Sequence, residues 1–436
     1  MEVVTAGRSL SDRVRALVPN RRMGLITADQ VVSGASNLLI VLLVAHLLSP
    51  ADFGWFTIYF LVYTLATTVQ RSLISGPLLV YPHDADERPG AVIGAGLVTA
   101  LSMAALCGLA GGALGAAGSA RAGALVILAV LLPLLLLQDT GRYLSWAAGR
   151  PSRSLWLDLT WLLLLVAAFA GLSLASVPAT LERCLLLWGG SGAIAGVLVF
   201  FQPYGFRPRK HLGLSWLRER WSFSWKYLVG ATAAQLSVLA SVSVITVVSN
   251  AAAVAAVRAV TLLVRPGYTV QVAVGQSVAT DIARDEPRPG VVWKHVGRAV
   301  VLTGAVAVAN IGVLLVLPDS LGRAVLGNTW PLAAPLLVPA GVQLLLSVVG
   351  TGTRDALLGL HRVTVVVLVD VVGAVILVGA AGVGALVADA RGVLWALVAA
   401  QALMTLVWWV LFARTMERLD GPEAAFPAVR SAQDVG

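Results

Sequence analysis

The sequence predicts an all-α polytopic membrane protein with about twelve transmembrane helices in two related six-helix bundles. Hydrophobic residues make up 58% of the 436 residues and charged residues only 12%, whereas a soluble domain carries about 25% charged residues. The apolar residues form uninterrupted runs such as 124–137, and a helix needs roughly 20 of them to cross a bilayer. Alternating barrel-type segments are absent, so helices must satisfy the backbone in lipid.

An internal repeat predicts the two bundles. A charged triplet recurs at an offset of 212 residues (354 − 142), with a spacing of 8 residues between members in both copies. The copies are Arg142, Arg150 and Asp158, and Arg354, Arg362 and Asp370. Gln30 matches Gln235, and Ser49 matches Ser249, at slightly shorter offsets. Six spans per half is an even number, so both halves enter the membrane from the same side and the repeat is parallel.

The apolar runs define the spans and the domains. The spans lie near 24–48, 53–80, 91–118, 122–146, 154–177, 182–203, 223–248, 252–281, 297–317, 331–353, 363–387 and 392–415. The predicted units are an N-terminal segment 1–23, a first bundle 24–203, a basic linker 204–222, a second bundle 223–415 and a tail 416–436.

The distribution of basic residues predicts the orientation. Loops and span ends on the side of the termini carry 24 of the 31 Lys and Arg residues, and the opposite side carries four. The positive-inside rule therefore predicts a multi-pass protein of the cytoplasmic (inner) membrane with both termini in the cytoplasm. The linker 204–222 interleaves arginines with Trp216 and Trp221, which is typical of a segment lying on lipid headgroups.

Three arginines fall inside predicted spans, namely Arg71, Arg258 and Arg265. Charge inside a bilayer is expensive and usually faces a cavity or a partner. Arg71 and Arg258 could alternatively snorkel to an interface, and Arg265 could pair with an unidentified acid. Other polar side chains lie at helical spacing beside them or on the first span, where they could instead hold helices together. These are Gln30, Asn37, Tyr63, Gln70 and Tyr268.

No carboxylate falls at mid-depth of the first two spans, and Asp29 lies near the start of the first. The sequence therefore predicts a cationic lumen and an anionic substrate, because guanidinium groups bind phosphate and carboxylate bidentately. Asp158 and Asp370 are expected to pair with Arg150 and Arg362 near the cytoplasmic ends, as topology anchors. We expect no catalytic residue, metal site or cofactor, and no nucleic-acid partner.

A turn motif adds a family resemblance. The segment 48–54 (LSPADFG), followed by Phe56, resembles the tight outer turn between the first two helices of polysaccharide-type lipid flippases of the multidrug/oligosaccharidyl-lipid/polysaccharide exporter superfamily. The polar run 29–37 and Pro77 are also similar to that family. At the level of sequence motifs the resemblance covers about 60 residues, and beyond them it lies in the two-bundle architecture.

The resemblance implies alternating access and a cavity for a polyprenyl-diphosphate-linked saccharide, with Arg71, Arg258 and Arg265 holding the diphosphate. Twelve helices, and no basic residue in the first, favour an O-antigen or capsule-type translocase over a peptidoglycan one. Drug and cation antiporters of the superfamily use acidic residues, which the sequence lacks at matching depth.

The sequence thus predicts a flippase for lipid-linked oligosaccharides in cell-surface polysaccharide biosynthesis, in contact with membrane lipids and with glycosyltransferases or a polymerase of the same pathway. A small-molecule or drug exporter of the same superfamily is the alternative. A membrane-embedded polymerase or glycosyltransferase is a third hypothesis, and it needs a large outer loop that the sequence lacks.

Overall fold

The computed structural model describes residues 21–119, 121–175, 177–202, 213–249, 251–284, 288–326 and 329–420. These residues are almost entirely helical. The helices are α1 (Arg21–Leu47), α2 (Pro50–Gln70), α3 (Gly76–Val80), α4 (Asp84–Glu87), α5 (Pro89–Ala116), α6 (Ala122–Ala147), α7 (Pro151–Leu174), α8 (Leu181–Phe201), α9 (Leu214–Val248), α10 (Ala251–Arg284), α11 (Pro289–Leu315), α12 (Asp319–Leu326), α13 (Trp330–Ala333), α14 (Leu337–Gly359) and α15 (Val363–Asp420).

The described residues include ten helices that are long and apolar enough to cross a membrane. The last, α15, is 58 residues long, or ~87 Å at ~1.5 Å per residue, which is far beyond one bilayer. Its backbone leaves helical geometry at Ala388 and Asp389, so α15 contains two spans. A further crossing runs from α2 to α3 through a π-helical turn at Arg71–Ser75. The predicted all-α architecture of about twelve spans is confirmed.

The internal repeat is visible in the backbone itself. Gly149, between α6 and α7, has φ 69°, and His361, 212 residues later between α14 and α15, has φ 62°. Both turns carry the same hydrogen bonds: Arg150 N–H donates to the Ser145 carbonyl, and Arg362 N–H donates to the Leu357 carbonyl. The left-handed conformation normally favours glycine. The second copy has this conformation although its residue is a histidine, so the two turns share the same backbone geometry.

The predicted outer turn forms between α1 and α2. Ser49 caps α2 by accepting a hydrogen bond from the Asp52 backbone N–H at 3.2 Å, as an N-cap serine should. Asp52 pairs with Arg121 at 2.8 Å. Hydrogen bonds from Arg121 and Ser49 lower the pKa of Asp52 below its ordinary value. The motif therefore ties the start of α2 to the start of α6.

The apolar cores divide the molecule into two bundles that meet at one end. We call the end with loops 81–88, 148–150 and 360–362 the basic end, and the opposite end the open end. At the open end, one core contains only residues of α1–α8 and another only residues of α9–α15. At the basic end, two cores mix the bundles: Trp216 and Ala273 join the first, and Val80 joins the second. The bundles are thus packed together at the basic end.

The linker prediction needs correction. Residues 203–212 lie outside the described part, but α9 begins at Leu214, nine residues before the predicted span. Trp216 is 1% exposed and its indole donates to Asp84 at 2.8 Å. Trp216 therefore packs inside the protein rather than on lipid headgroups. Its indole N–H is satisfied there by the Asp84 carboxylate.

Glycine permits the tightest helix contact in the first bundle. A Cβ at Gly196 of α8 would lie 2.1 Å from the Leu134 carbonyl oxygen of α6, whereas a Cβ at Gly190 on the same helix would meet nothing within 4 Å. The Leu134 backbone cannot move aside as a flexible side chain could, so only glycine fits at residue 196.

We expect Gly196→Ala to lower the thermal unfolding temperature in detergent, with a loss of about 1–3 kcal/mol from overpacking. Gly190→Ala is the matched control and should be neutral or raise stability by up to about 1 kcal/mol through helix propensity. Equal unfolding temperatures for the two variants would contradict the packing.

Candidate functional site

A buried network of charged residues lies in the first bundle and is centred on Arg142 of α6. Its guanidinium contacts Asp29 of α1 at 3.0 Å and Asp158 of α7 at 3.1 Å. It also lies 3.6 Å from Asp139, one turn earlier on α6. These four side chains are 0–3% exposed. Arg142 therefore joins three helices inside the membrane-spanning region.

Arg71 extends this network. Its guanidinium donates to both oxygens of Asp139, at 2.9 and 2.7 Å, and lies 5.5 Å from the Tyr143 ring centre. We call Arg71, Arg142, Asp29, Asp139 and Asp158 the ionic cluster. It has three carboxylates and two guanidiniums, so its formal charge is −1 when every group is ionised.

The ionic cluster borders the seam between the bundles. Tyr143, under Arg71, accepts a hydrogen bond of 3.2 Å from Gln276 of α10 in the second bundle. The Arg71 side chain is 43% exposed, although Asp139 is only 2% exposed. Arg71 therefore forms part of the floor of the space between the bundles, which we call the vestibule, and it connects that space to the buried carboxylates.

One wall of the vestibule is basic. Gln276 contacts the first bundle, so its side of α10 faces the seam. At about 100° per residue, Arg265 and Arg258 fall within about 20° of Gln276 and lie ~16 and ~27 Å farther along the helix. Both are exposed, and within the described residues neither side chain has a recorded hydrogen bond or ion pair.

The other predicted site residues have different surroundings. Gln70 is fully buried in the first bundle and donates to the Gly96 carbonyl and the Thr140 hydroxyl. Tyr63 packs edge-on against Trp188, 5.0 Å between ring centres. Tyr268 packs at the edge of the second bundle's core. The structure thus places the side chains of these three residues within the packing of the bundles.

The polar side chains of α1 have mixed positions. Gln30 is half-buried. Asn37 is exposed and lines, with Ser33 and Ser36, a cavity of about 10 Å³ beside Asp158. That volume is at the lower limit for one water molecule. Among the three carboxylates of the ionic cluster, Asp158 is the one that lines this cavity. Arg142 contacts one oxygen of Asp158, and Gln138 donates a hydrogen bond of 2.7 Å to the other.

A second group of contacts closes the basic end. Asp84 of α4 is 4% exposed and accepts hydrogen bonds from Trp216, Arg220 and Arg88 at 2.8–3.0 Å. Arg220 also stacks on Tyr81, 4.0 Å from the ring centre. Because Trp216 and Arg220 belong to α9, we call this group the latch between the bundles.

The second bundle repeats the ion pair of the first. Arg354 of α14 donates to both oxygens of Asp370 on α15, at 3.0 and 2.6 Å, and to Asp355 at 2.9 Å. This group also has one more carboxylate than guanidinium. Asp370 and Arg354 line a cavity of about 350 Å³ inside the second bundle, together with Tyr227 of α9.

The triplet interpretation needs correction in its pairing. Asp158 and Asp370 pair with Arg142 and Arg354 rather than with the second arginine of each triplet. Arg150 and Arg362 lie in exposed turns instead. Arg142 lies near the end of α6 and is nevertheless only 3% exposed.

A convergence of buried carboxylates was missed by the sequence analysis. Asp29, Asp139 and Asp158 converge from three helices. Asp139 received no role in the sequence analysis, although it lies one helical turn before Arg142 in the segment 138–142 (QDTGR). That i, i+3 spacing places both charges on one helix face and was the available signal.

Solved structures share this fold. No protein-family model matches the chain, and no curated protein matches it in sequence. An outward-facing multidrug resistance MATE family transporter of the MOP superfamily matches with a TM-score of 0.73 at 14% identity, covering 93% of this chain and 96% of that one. A MATE in complex with MaD5 (TM-score 0.75, 12% identity, 93% and 96% covered) and one in complex with Br-NRF (0.70, 13%, 93% and 97%) are also similar. The chain therefore has a MATE-like fold of two bundles.

Removing Arg142 should be far more damaging than removing its exposed triplet partner. Arg142→Gln leaves buried carboxylates without their counter-charge, and we expect a loss of about 3–5 kcal/mol. Arg150→Gln, at the exposed turn, should change stability by less than about 0.5 kcal/mol. Thermal unfolding in detergent measures both.

Adding Asp158→Asn to Arg142→Gln should recover part of the loss, because one of the stranded charges is removed. A double variant as unstable as the sum of the two single variants would contradict the pairing.

Proposed function

We propose that the protein is a secondary transporter that exports amphipathic small molecules by alternating access and is driven by proton uptake at the ionic cluster. The observation that carries this proposal is the charge of the cluster: three buried carboxylates share two guanidiniums. An unbalanced charge in a low-dielectric site is costly, and a proton is the smallest ligand that removes it.

Asp158 is the best candidate for the protonated group. It borders the water-sized cavity on the side of Ser33 and Asn37, and Asp29 and Asp139 are not among the residues that line this cavity. Asp139 is held by both nitrogen donors of Arg71 and is therefore better stabilised as an anion. Protonation of Asp158 would weaken its attraction to Arg142 and loosen α7 from α6.

The arrangement of the bundles supports alternating access. They are packed together at the basic end by the latch, and their open-end cores are separate. By the positive-inside rule the basic end faces the cytoplasm. In our proposal the protein lies in the cytoplasmic membrane, and this state is closed to the cytoplasm and open to the outside. The ionic cluster also reaches the second bundle, since Tyr143 under Arg71 accepts a hydrogen bond from Gln276 of α10.

The proposed substrate class follows from the ion pair that Arg71 already makes and from the comparison with solved structures. Arg71 is occupied by Asp139, so it is not available to hold a diphosphate without breaking a bidentate ion pair. A multidrug resistance transporter is among the solved structures with this fold. Both points favour the small-molecule exporter over the flippase.

A flippase for polyprenyl-diphosphate-linked saccharides is the second candidate, and one observation favours it. Arg258 and Arg265 line the vestibule wall without recorded partners, which is how a site for a phosphate-bearing headgroup could be built. Glycosyltransferases or a polymerase of the same pathway would then be partners.

Asp158→Asn should uncouple transport from the proton gradient, because asparagine keeps the shape but cannot be protonated. In proteoliposomes with an imposed pH gradient, we expect export of amphipathic dyes to fall to the level measured without a gradient. Glu182→Gln, on α8 outside the cluster, is the control. The coupling assignment fails if Asp158→Asn retains the pH dependence of the natural protein.

Arg258→Gln combined with Arg265→Gln separates the two candidate functions. As an exporter of small molecules, the double variant should still move uncharged and cationic dyes in response to a pH gradient. As a flippase, it should lose binding of a polyprenyl diphosphate lipid in vesicles. Tight diphosphate-lipid binding by the natural protein that disappears in the double variant would reverse the preference stated above.

A further inference from the structure

A proline in the second span deprives one backbone carbonyl of its usual helical donor. In an α-helix the Leu73 carbonyl would accept a hydrogen bond from the N–H of residue 77, four positions later. Residue 77 is Pro77, which has no N–H. Directly before it lies the π-helical turn Arg71–Ser75, in which the Gly76 N–H donates to the Arg71 carbonyl five residues back. We call this segment the π-turn.

The matching helix of the second bundle has no such turn. The α10 helix runs from Ala251 to Arg284. At the 200-residue offset that relates Ser49 to Ser249, it carries Ser277 in the place of the proline. The π-turn is therefore a feature of the first bundle alone, and it accompanies Pro77.

A side chain of the second bundle supplies a donor to the Leu73 carbonyl. The Ser224 hydroxyl on α9 is fully buried and donates to this carbonyl at 3.0 Å. Hydroxyls on helices usually donate to the carbonyl four residues back in their own helix, as Ser36, Thr99 and Ser145 do here. Ser224 instead holds a backbone group of the other bundle.

Ser224 belongs to a face of α9 that is directed at the first bundle. Trp216 and Arg220 of the latch lie on this face, because they precede Ser224 by eight and four residues. Tyr227 continues the face, and its ring lies 2.9 Å from the position that a Cβ on Gly76 would take. Movement of α9 away from the first bundle must therefore break the hydrogen bond to the π-turn.

The other side of the π-turn reaches the ionic cluster. Arg71 is the first residue of the turn and donates to both oxygens of Asp139. A π-turn contains one residue more than the matching α-helix, so its return to α geometry would rotate one flank by about 100° relative to the other. A change at Leu73 would therefore alter the direction in which Arg71 points. The position of α9 and the ion pair of Arg71 are connected through this short segment.

The groups that could answer such a change are the carboxylates. The titratable and charged side chains around Arg71 come from α1, α2, α6 and α7, and they are Asp29, Tyr63, Asp139, Arg142, Tyr143 and Asp158. From the second bundle, Tyr227 of α9 and Gln276 of α10 contact this region. Near neutral pH arginine stays charged and tyrosine stays neutral, so the carboxylates are the members of this set that take up a proton.

We propose that Ser224 is a positioning residue for the ionic cluster. Its hydroxyl fixes the π-turn, and through it the ion pair of Arg71 with Asp139, only while the bundles are closed at the basic end. When the bundles part, Arg71 loses its fixed direction and the cluster accepts a proton more readily. Linkage makes the effect reciprocal, because a proton on the cluster then weakens the closure by the same free energy. The inference rests on the proposed proton-driven function and names the residue that couples the cluster to the movement.

The test removes the hydroxyl in one variant and removes the need for it in another. Ser224→Ala loses the donor. Pro77→Ala returns an N–H that can satisfy Leu73 within its own helix in both states, so it should abolish the same coupling by a different route. Ser222→Ala, at an exposed position of α9, is the matched control. All variants are made in the full-length protein in lipid nanodiscs.

The readout is the distance between the open ends of the bundles, measured by double electron–electron resonance. Spin labels are placed at the exposed positions Leu38 and Val247, with Cys107 and Cys184 replaced. The ratio of short to long distances at acidic pH, divided by the same ratio at alkaline pH, gives a coupling factor. A contact that only stabilised the closed state would change the ratio alike at both pH values and leave the coupling factor unchanged.

We expect Ser224→Ala to reduce the coupling factor about fivefold, which is the effect of one typical hydrogen bond. Pro77→Ala should reduce it by the same amount, and the double variant should show no further loss, because both changes act on the Leu73 carbonyl. Ser222→Ala should match the natural protein. If Ser224→Ala does not fold, the comparison of Pro77→Ala with Ser222→Ala provides the same test.

The outcomes separate this proposal from the exporter proposal. A coupling factor in Ser224→Ala equal to that of Ser222→Ala, or losses from Ser224→Ala and Pro77→Ala that add in the double variant, would overturn the role of Ser224 even if proteoliposomes export dyes. The expected non-additive loss would support that role even if no dye is transported, and the exporter function alone would then fail. A single distance at every pH in the natural protein would overturn both.

Discussion

The ion pair between Arg142 and its carboxylates is the constraint on which the first bundle depends. A guanidinium buried to 3% exposure must have its charge balanced, because the interior offers little solvation. Asp29, Asp139 and Asp158 meet this need from α1, α6 and α7. Their positions fix how the three helices pack.

The cluster contains more carboxylates than guanidiniums, and the proposed mechanism depends on this excess. One carboxylate more than the guanidiniums require leaves the ionic cluster with a charge that a proton can remove. Arg71 is the member of the ionic cluster that lies at the vestibule floor. Tyr143, which lies under Arg71, contacts Gln276 of the second bundle. In the proposed mechanism, a change in protonation would act on the second bundle through the contact between Tyr143 and Gln276.

Duplication explains why the same ion pair occurs twice. Arg354 and Asp370 reproduce Arg142 and Asp158, down to the turn with positive φ at Gly149 and His361. Around the second pair, glycine replaces the filling tryptophan and a cavity forms. The surroundings of the first pair are thus closely packed, with a cavity of about 10 Å³, whereas a cavity of about 350 Å³ lies beside the second.

The fold was largely predictable because uninterrupted apolar runs report on bilayer crossing directly. The repeat was predictable from the charged triplet, since charge inside a membrane protein is rarely incidental. The pairing of Arg142 with its carboxylates was not predictable, because the distance of a residue from a helix end says little about how deeply its side chain is buried in the folded protein. Asp29 and Arg142 are 113 residues apart, and no local pattern shows that they meet. Arg71 was singled out because it falls inside a predicted span, but its partner Asp139 was not predicted.

The most direct test of the central claim is the distance between the open ends of the two bundles as a function of pH. Spin labels at Leu38 on α1 and Val247 on α9, both exposed positions, report this distance by double electron–electron resonance, with Cys107 and Cys184 replaced. The account predicts a longer distance at alkaline pH, a shorter one at acidic pH, and the short distance at every pH in Asp158→Asn. A distance that does not change with pH, or one that changes equally in Asp158→Asn, would contradict the claim that protonation of the ionic cluster drives the movement of the bundles.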